Sequence, residues 1–233
     1  MSATAAKRVE SLRRQIERHD HRYYVLGEPE ISDREYDALM RELQDLERAH
    51  PDLADPDSPT SRVARGLLPG FPSVRHSAPM LSLDNTYSLE ELSEFDARVR
   101  KGLGRESVGY VVEPKVDGVA VHLRYEDGRF VQGLTRGDGE QGDDITANLR
   151  TIRSIPLKLA SRAVPDVLEV RGEVYMEQKG FDRMNERRVK AGEKPFMNPR
   201  NATTGSLKTL DTAEVARRPL QIFIYQLVHA DRH

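Results

Sequence analysis

The segment Glu113-Pro114-Lys115-Val116-Asp117-Gly118 carries the residue types of a covalent group transfer. A lysine placed after a strand-ending proline, and followed by an acid and a glycine, can be held on a tight turn at a sheet edge. Its amine attacks only after losing a proton, so desolvation or nearby cations must lower a reference pKa of about 10.4. Arg136, Arg200 and Lys208 are the candidate cations. The same few residues also describe a surface lysine in an ordinary turn, and by itself the motif leaves both readings open.

Further segments could serve the same chemistry. Thr135-Arg136-Gly137-Asp138-Gly139 combines glycines, which let backbone amides approach a phosphate or ribose, with the forked donor of an arginine. The alternating run Leu168 to Tyr175 puts Glu169, Arg171 and Glu173 on one strand face, either a solvated side or the floor of a polar site. Glu173 could accept a ribose hydroxyl or help to hold a divalent ion through oxygen ligands. Asn198-Pro199-Arg200-Asn201 and Gly205-Ser206-Leu207-Lys208 add phosphate-type donors in a stretch that reads as irregular. The seven histidines show no metal-ligand spacing, and no Ser-His-Asp arrangement is legible.

The elements that must position these residues fall into two groups. Val9, Leu12 and Ile16 predict a helix over residues 6–24. Ser32 with Glu35 three later forms a capping box for a second helix, whose stripe is Tyr36, Leu39, Met40, Leu43 and Leu46. His50-Pro51 ends it. Gly27-Glu28-Pro29 joins the two as a helical hairpin. Six of the thirteen prolines then lie between positions 51 and 79, which places a boundary there: 1–68 a small helical domain, 69–233 the main one. A third helix, capped by Ser88 and ending near Gly102-Leu103-Gly104, is expected to bury Leu92, Phe95 and Val99. Strands are expected at 110–112, 119–125, 129–135, 167–175 and 220–228, with an Asp127-Gly128 hairpin turn and a helix over 181–190. The class is α+β with an antiparallel sheet.

The 233 residues include no cysteine, which excludes disulfides, thiolate zinc sites and a thiol nucleophile. No apolar run is long enough to span a membrane and no signal peptide opens the chain, so the expected place is the cytoplasm. The net charge of −2 hides a polarity. Eleven acidic residues stand against three arginines between Glu28 and Asp57, whereas nine Lys/Arg stand against five Asp/Glu between Asp182 and Arg218. A phosphate-binding face in the second half is compatible with that balance.

In order and spacing these motifs resemble the N-terminal part of the bacterial NAD-dependent DNA ligases. The likeness runs from about Val9 to Leu227. It takes in Tyr23-Tyr24, Ile31 to Asp37, Pro56 to Thr60, Pro79 to Asn85, the Lys115 motif, Thr135 to Gly139, Leu168 to Val174 and Asn198 to Asn201. The resemblance implies that the first unit grips the nicotinamide mononucleotide (NMN) half of NAD through Tyr23, Asp33, Tyr36 and Asp37, with Arg34 and Glu35 in the same run. Tyr24 stands where some members carry histidine. The rest is implied to be a nucleotidyltransferase domain, ATP-grasp-like with an antiparallel sheet, in which Lys115 attacks the α-phosphate of NAD and Asp117 belongs to the same motif. Ser82 and Leu83 match the rim of the adenosine pocket, Glu113 an adenine contact, Arg136 and Glu173 ribose contacts, and Tyr225 a residue that stacks on adenine. Arg200, Lys208 and Arg218 are implied to meet DNA or phosphate. Magnesium or manganese is the implied metal, with no zinc in this chain; nicked double-stranded DNA is the implied partner, and the expected state is a monomer.

Two departures accompany the likeness. Lys208 stands where arginine is common, which keeps the charge and loses the fork. The family's later pocket lysines, barrel, zinc module, helix-hairpin-helix region and C-terminal domain are not in these 233 residues. The expectation is a truncated ligase with weak or absent self-adenylation and no nick sealing. An ATP-dependent nucleotidyltransferase and a non-catalytic NMN- or NAD-binding module are the alternatives.

Overall fold

The computed structural model describes residues 3–231 apart from 27, 64–66 and 162, and of Ala3, Val25 and Asp33 it describes the backbone alone. Helix α1 (Ala3–Asp20) runs into a π-helical turn, His21–Leu26. Helix α2 (Asp33–Ala49) begins at Ser32, where both bonds of the capping box form: Glu35 N–H donates to Ser32 Oγ, and Ser32 N–H donates to Glu35 Oε2 at 2.8 Å. Gly27 of the expected connector lies outside the described residues. Val9, Leu12 and Ile16 of α1 close on Leu43 of α2, with Tyr36, Leu39, Met40 and Leu46 around them. Arg8–Glu42 and Arg13–Glu47, each at 2.6 Å, bridge the two helices outside this core. Among the described residues no helix is long and apolar enough to cross a membrane.

After the 3₁₀ turns Pro51–Leu53 and Pro59–Ser61, the chain enters a mixed body of helices and antiparallel sheets. In chain order its elements are β1 (Ser73–Arg75), α3 (Leu89–Leu103), β2 (Val119–Glu126), β3 (Arg129–Thr135) and β4 (Gln141–Asp143). There follow α4 (Thr146–Leu149), β5 (Val167–Met176), α5 (Gln178–Lys190), α6 (Pro199–Leu207), α7 (Thr212–Ala216) and β6 (Leu220–Ala230). The main sheet has the order β3-β2-β5-β6, every pair antiparallel, and β1 pairs with β4. The β2–β3 turn puts Asp127 at φ 48° and Gly128 at φ 74°, as an Asp-Gly hairpin requires. Apolar side chains of β2, β3 and β5 pack on α4 to α7 around Phe130, Leu123, Leu149, Ile155 and Leu207.

Three expectations are corrected. Residues 110–112 form no strand; Val111 and Val112 are almost fully exposed, because no neighbouring strand pairs with them among the described residues. Helix α3 has its Ser88 cap and a left-handed Gly104 terminus, yet it buries no residue. Leu92 and Phe95 stay exposed because the sheet core closes without them, and the helix meets Tyr110 instead, by a ring contact from Phe95 and a 2.9 Å bond to Asp96. The stretch around Arg200 is not irregular. It is α6, capped by Asn198 with Pro199 in its first turn, where a missing N–H costs nothing.

The connector is held to the second core by Arg62. Its Nη1 donates to the carbonyls of Arg150 (2.9 Å), Ile152 (3.2 Å) and Ile155 (3.2 Å), a convergence of acceptors that one buried guanidinium satisfies. Arg62→Ala leaves buried carbonyls short of a donor, and about 1–3 kcal/mol of stability is expected to be lost in urea unfolding followed by circular dichroism.

Candidate functional site

The lysine turn is fixed from behind by glycine. A Cβ at Gly118 would lie 2.0 Å from the carbonyl oxygen of Val174 on β5, so only glycine lets the turn lie this close to the strand. The Gly118 N–H donates to Glu173 Oε1 at 3.2 Å. Lys115, three residues upstream, is thereby held on the exposed lip of the sheet beside Glu173. Asp117 pairs with Arg200 of α6 at 3.2 Å, so the helix, the lysine turn and β5 meet at one place. Burial pushes the Glu173 carboxyl above the usual glutamate range, against the pull of the Gly118 N–H and of the Lys115 and Arg200 charges.

The second part of the site lies across the sheet. Arg136 Nη1 donates to Ser82 Oγ at 2.9 Å, and Met80 N–H donates to Gly139 O at 2.8 Å, so the Thr135–Gly139 turn and the segment around Ser82 form one rim. Leu83 beside it is exposed. Tyr225, at a bulge of β6 opposite Arg171 and Gly172, is exposed, at 43% of its surface. Burial raises its phenol, the Glu173 charge adds to the rise, and Arg171 and Arg136 oppose it.

Beneath this rim the polar face of β5 is a floor and not a solvated side. Glu169 and Arg171 are buried. Ser77 and Arg124 both bond to Glu169, the latter at 2.6 Å, and His122 lies 3.5 Å from it. Arg171 Nη2 donates to Ala78 O at 2.8 Å and to Pro79 O at 2.9 Å. Burial, more than any neighbouring charge, pushes His122 below the usual histidine range, and Glu169 lies below its own range because Ser77 and Arg124 bond to its charged form against the cost of its burial.

The helical hairpin has a cleft of its own, of about 350 Å³, into which Tyr23, Tyr24, Tyr36 and Asp37 face together with Asp20 and Glu30. The Tyr23 and Tyr24 rings are 4.8 Å apart. Arg153, from the sheet body, closes one end: its Nη1 donates to Tyr36 Oη at 2.5 Å, and Tyr36 Oη donates to Asp20 Oδ1 at 2.8 Å. Burial raises both the Asp20 carboxyl and the Tyr36 phenol.

Not every expected residue is brought to these places. Asp33 opens α2, and its side chain lies outside the described residues. The Glu35 carboxylate is engaged by the cap at Ser32, and among the described residues neither Glu35 nor Arg34 lines the cleft. Glu113 stands on the exposed approach to Lys115. Lys208 pairs with Asp143 at 3.2 Å. Arg218 is turned inward, bonded to Glu214 with its guanidinium over the Phe196 ring. Asp20, Arg153, His122 and Ser77 were not read from the sequence as site residues. Arg153 and Tyr36 are 117 positions apart, and no local pattern links them.

Comparison with known proteins decides the family. The model of the NAD-dependent DNA ligase adenylation domain matches residues 68–233, and that of the DNA ligase-like N-terminal NAD+-binding domain matches residues 2–64. The chain belongs to the NAD-dependent DNA ligase family. It is 57% identical over 227 residues to a DNA ligase of Desulforudis audaxviator, covering 97% of this chain and 34% of that protein. A DNA ligase of Alkalilimnicola ehrlichii is 56% identical over 225 residues (97% and 33%), and one of Thermotoga maritima 55% over 225 residues (97% and 32%). The chain thus spans about a third of the length of the curated relatives it matches.

The raised Glu173 carboxyl gives stability that is complete below the ordinary glutamate value of 4.5 and is lost as the pH rises through the raised one. Urea titrations between about pH 4 and about pH 7 should show the wild type losing stability relative to Glu173→Gln across that window. An unchanged difference at all pH values would contradict the burial of this charge.

Proposed function

We propose that this chain is the NAD-reading part of a DNA ligase, divided near residues 68 and 69 into a hairpin that takes the NMN half and a nucleotidyltransferase domain that takes the AMP half. The observation that carries the reading is the lysine turn, laid on β5 by Gly118 with Glu173, Asp117 and Arg200 around it. In the reaction the neutral Lys115 amine attacks the α-phosphorus of NAD. A P–N bond forms, the P–O bond to NMN breaks, and the ammonium proton is released. In the whole protein the AMP then passes to the 5′-phosphate of nicked double-stranded DNA, and the 3′-hydroxyl displaces it to seal the strand, the chemistry of replication and repair in the cytoplasm.

Each residue has a part in this scheme. Ser82, Leu83 and Arg136 form the adenosine rim, Tyr225 stacks on adenine, Glu113 contacts it, and Glu173 accepts from a ribose hydroxyl. Arg200, in the first turn of α6, and Lys208, at its C-terminal cap, meet phosphates of NAD or of the DNA backbone, contacts that would be salt-dependent and sequence-neutral. In-line displacement at phosphorus depends on positioning and charge neutralisation more than on protein acid–base chemistry. Magnesium binds through one or two carboxylates together with substrate phosphates, and Asp117 is close enough to Glu173 for its charge to act on the Glu173 carboxyl. Those two carboxylates fit such an ion, which when bound would neutralise charge on the transferring phosphate.

Long incubation with NAD or ATP labelled in the adenylate group, followed by intact-protein mass spectrometry, tests the reading. Weak transfer of AMP from NAD and none from ATP is expected, at most one per chain, and Lys115→Ala should abolish it. Labelling from ATP alone, or an adduct that survives in Lys115→Ala, would contradict the assignment.

A further inference from the structure

The segment that leads from β1 to Ser82 runs beside the turn between β3 and β4, and His76 grips that turn twice. Its backbone N–H donates to Glu140 O at 2.9 Å, and its ring Nε2 lies 3.1 Å from Arg136 O. A carbonyl only accepts, so Nε2 carries the proton and donates. The Arg136 backbone is then held by three bonds. Its N–H donates to Ala120 O of β2 at 3.1 Å, and its carbonyl accepts from Gly139 N–H at 3.0 Å and from the His76 ring. His76 is buried, with the His122 ring of β2 behind it at 5.8 Å between centres. Its Nδ1 is also buried and has no hydrogen-bond partner among the described residues. Burying a polar ring costs free energy that an apolar side chain of the same size would avoid. The bond to Arg136 is what an imidazole supplies here and an apolar side chain does not.

From that fixed backbone the Arg136 side chain reaches Ser82 Oγ at 2.9 Å, on the same segment that carries His76. The contacts close a circuit: the His76 ring holds the Arg136 carbonyl, and the Arg136 guanidinium holds the Ser82 end of the segment. Arginine has a long stem with about 2 kcal/mol of rotamer freedom, so the place of its guanidinium depends on where its backbone starts. We propose that His76 is a positioning residue for the adenylate half of the ligand: its Nε2–H fixes the Arg136 carbonyl and so aims the Arg136 guanidinium at the ribose. This rests on the reading of Arg136 as a ribose contact, and it extends that reading to a residue that acts through Arg136 and needs no contact with the nucleotide. Loss of the ring's bond leaves the Gly139 and Ala120 bonds in place. The turn therefore persists while the arginine loses its aim, and the effect belongs to ligand affinity more than to folding.

Calorimetric titration with AMP and with adenine tests this, because a ribose contact counts for the first and not for the second. Arg136→Ala should weaken AMP binding about tenfold or more and leave adenine unchanged. His76→Asn carries its amide near the place of Nδ1, short of the Arg136 carbonyl, and should weaken AMP about five- to tenfold with adenine unchanged. His76→Gln carries its amide nitrogen near the place of Nε2 and should stay within about twofold of the wild type. In the Arg136→Ala background His76→Asn should cost nothing further, since both changes remove one contact. Wild-type AMP affinity in His76→Asn, or an equal loss for AMP and adenine, would overturn the proposal, the latter in favour of a general part in folding the pocket. So would a His76→Gln protein as weak as His76→Asn, or a full further loss in the double variant. In each of those cases a loss of AMP affinity in Arg136→Ala keeps the reading of Arg136 intact. Unchanged AMP affinity in Arg136→Ala, or no AMP binding by the wild type, would overturn that reading and the proposal with it.

Discussion

The backbone of Gly118 lies against the carbonyl of Val174, and the rest of the site is arranged around that contact. A side chain there would collide with backbone, which cannot move aside as the far end of a flexible side chain can. The closeness is what lets the Gly118 N–H reach Glu173 and what sets Lys115 on the lip of β5. Strand β5 in turn is central in the sheet, paired with β2 on one side and β6 on the other, so the lysine is referred to a strand held on both sides. In the proposed role of Lys115 as a nucleophile, where placement governs the chemistry, such a reference counts for more than any single charged neighbour.

The same strand carries the second half of the arrangement. Glu169, Arg171 and Glu173 alternate along one face, and each has a different task. Arg171 holds the carbonyls of Ala78 and Pro79, Glu169 gathers Ser77, Arg124 and His122, and Glu173 meets the lysine turn. Buried charges of this kind are costly unless they are paired or hydrogen-bonded, and here Ser77, Ala78 and Pro79, on the segment that leads to the Ser82 rim, share that task with His122 and Arg124 of β2. The polar row therefore converts the stiffness of a strand into the position of a loop. The sequence-distant contact of Arg153 with Asp20 and Tyr36 does the same between the hairpin and the sheet body.

The local signals in the sequence were sound wherever the physics was local. The Ser32–Glu35 capping box, the Ser88 cap, the Asp127-Gly128 turn and the alternation of β5 all depend on residues a few positions apart, and each is present. Expectations that depended on distant partners fared differently. Tyr110-Val111-Val112 has the β-branched composition of a strand, but a strand needs a neighbour, and these residues remain exposed. The apolar stripe of α3 is real, yet the core forms elsewhere. Helix α6 has a start signal in Asn198-Pro199, a cap followed by proline, but its threonines, asparagine and glycine favour other conformations, and the stretch reads as irregular in the sequence. Lys115, Asp117, Arg200 and Glu173 could be named from motifs, whereas Asp20 and Arg153 could not, because they meet across two hydrophobic clusters far apart in sequence.

The central proposal is that the Gly118–Val174 approach positions Lys115 for attack on NAD, and that this positioning is separate from the NMN binding proposed for the hairpin cleft. The direct measurement is the rate of AMP transfer from NAD in Gly118→Ala, set beside its affinity for NMN. A displacement of about 1 Å at the reacting group is expected to slow transfer by about 10²-fold, with NMN affinity unchanged. Transfer within a few-fold of the wild-type rate would contradict the account.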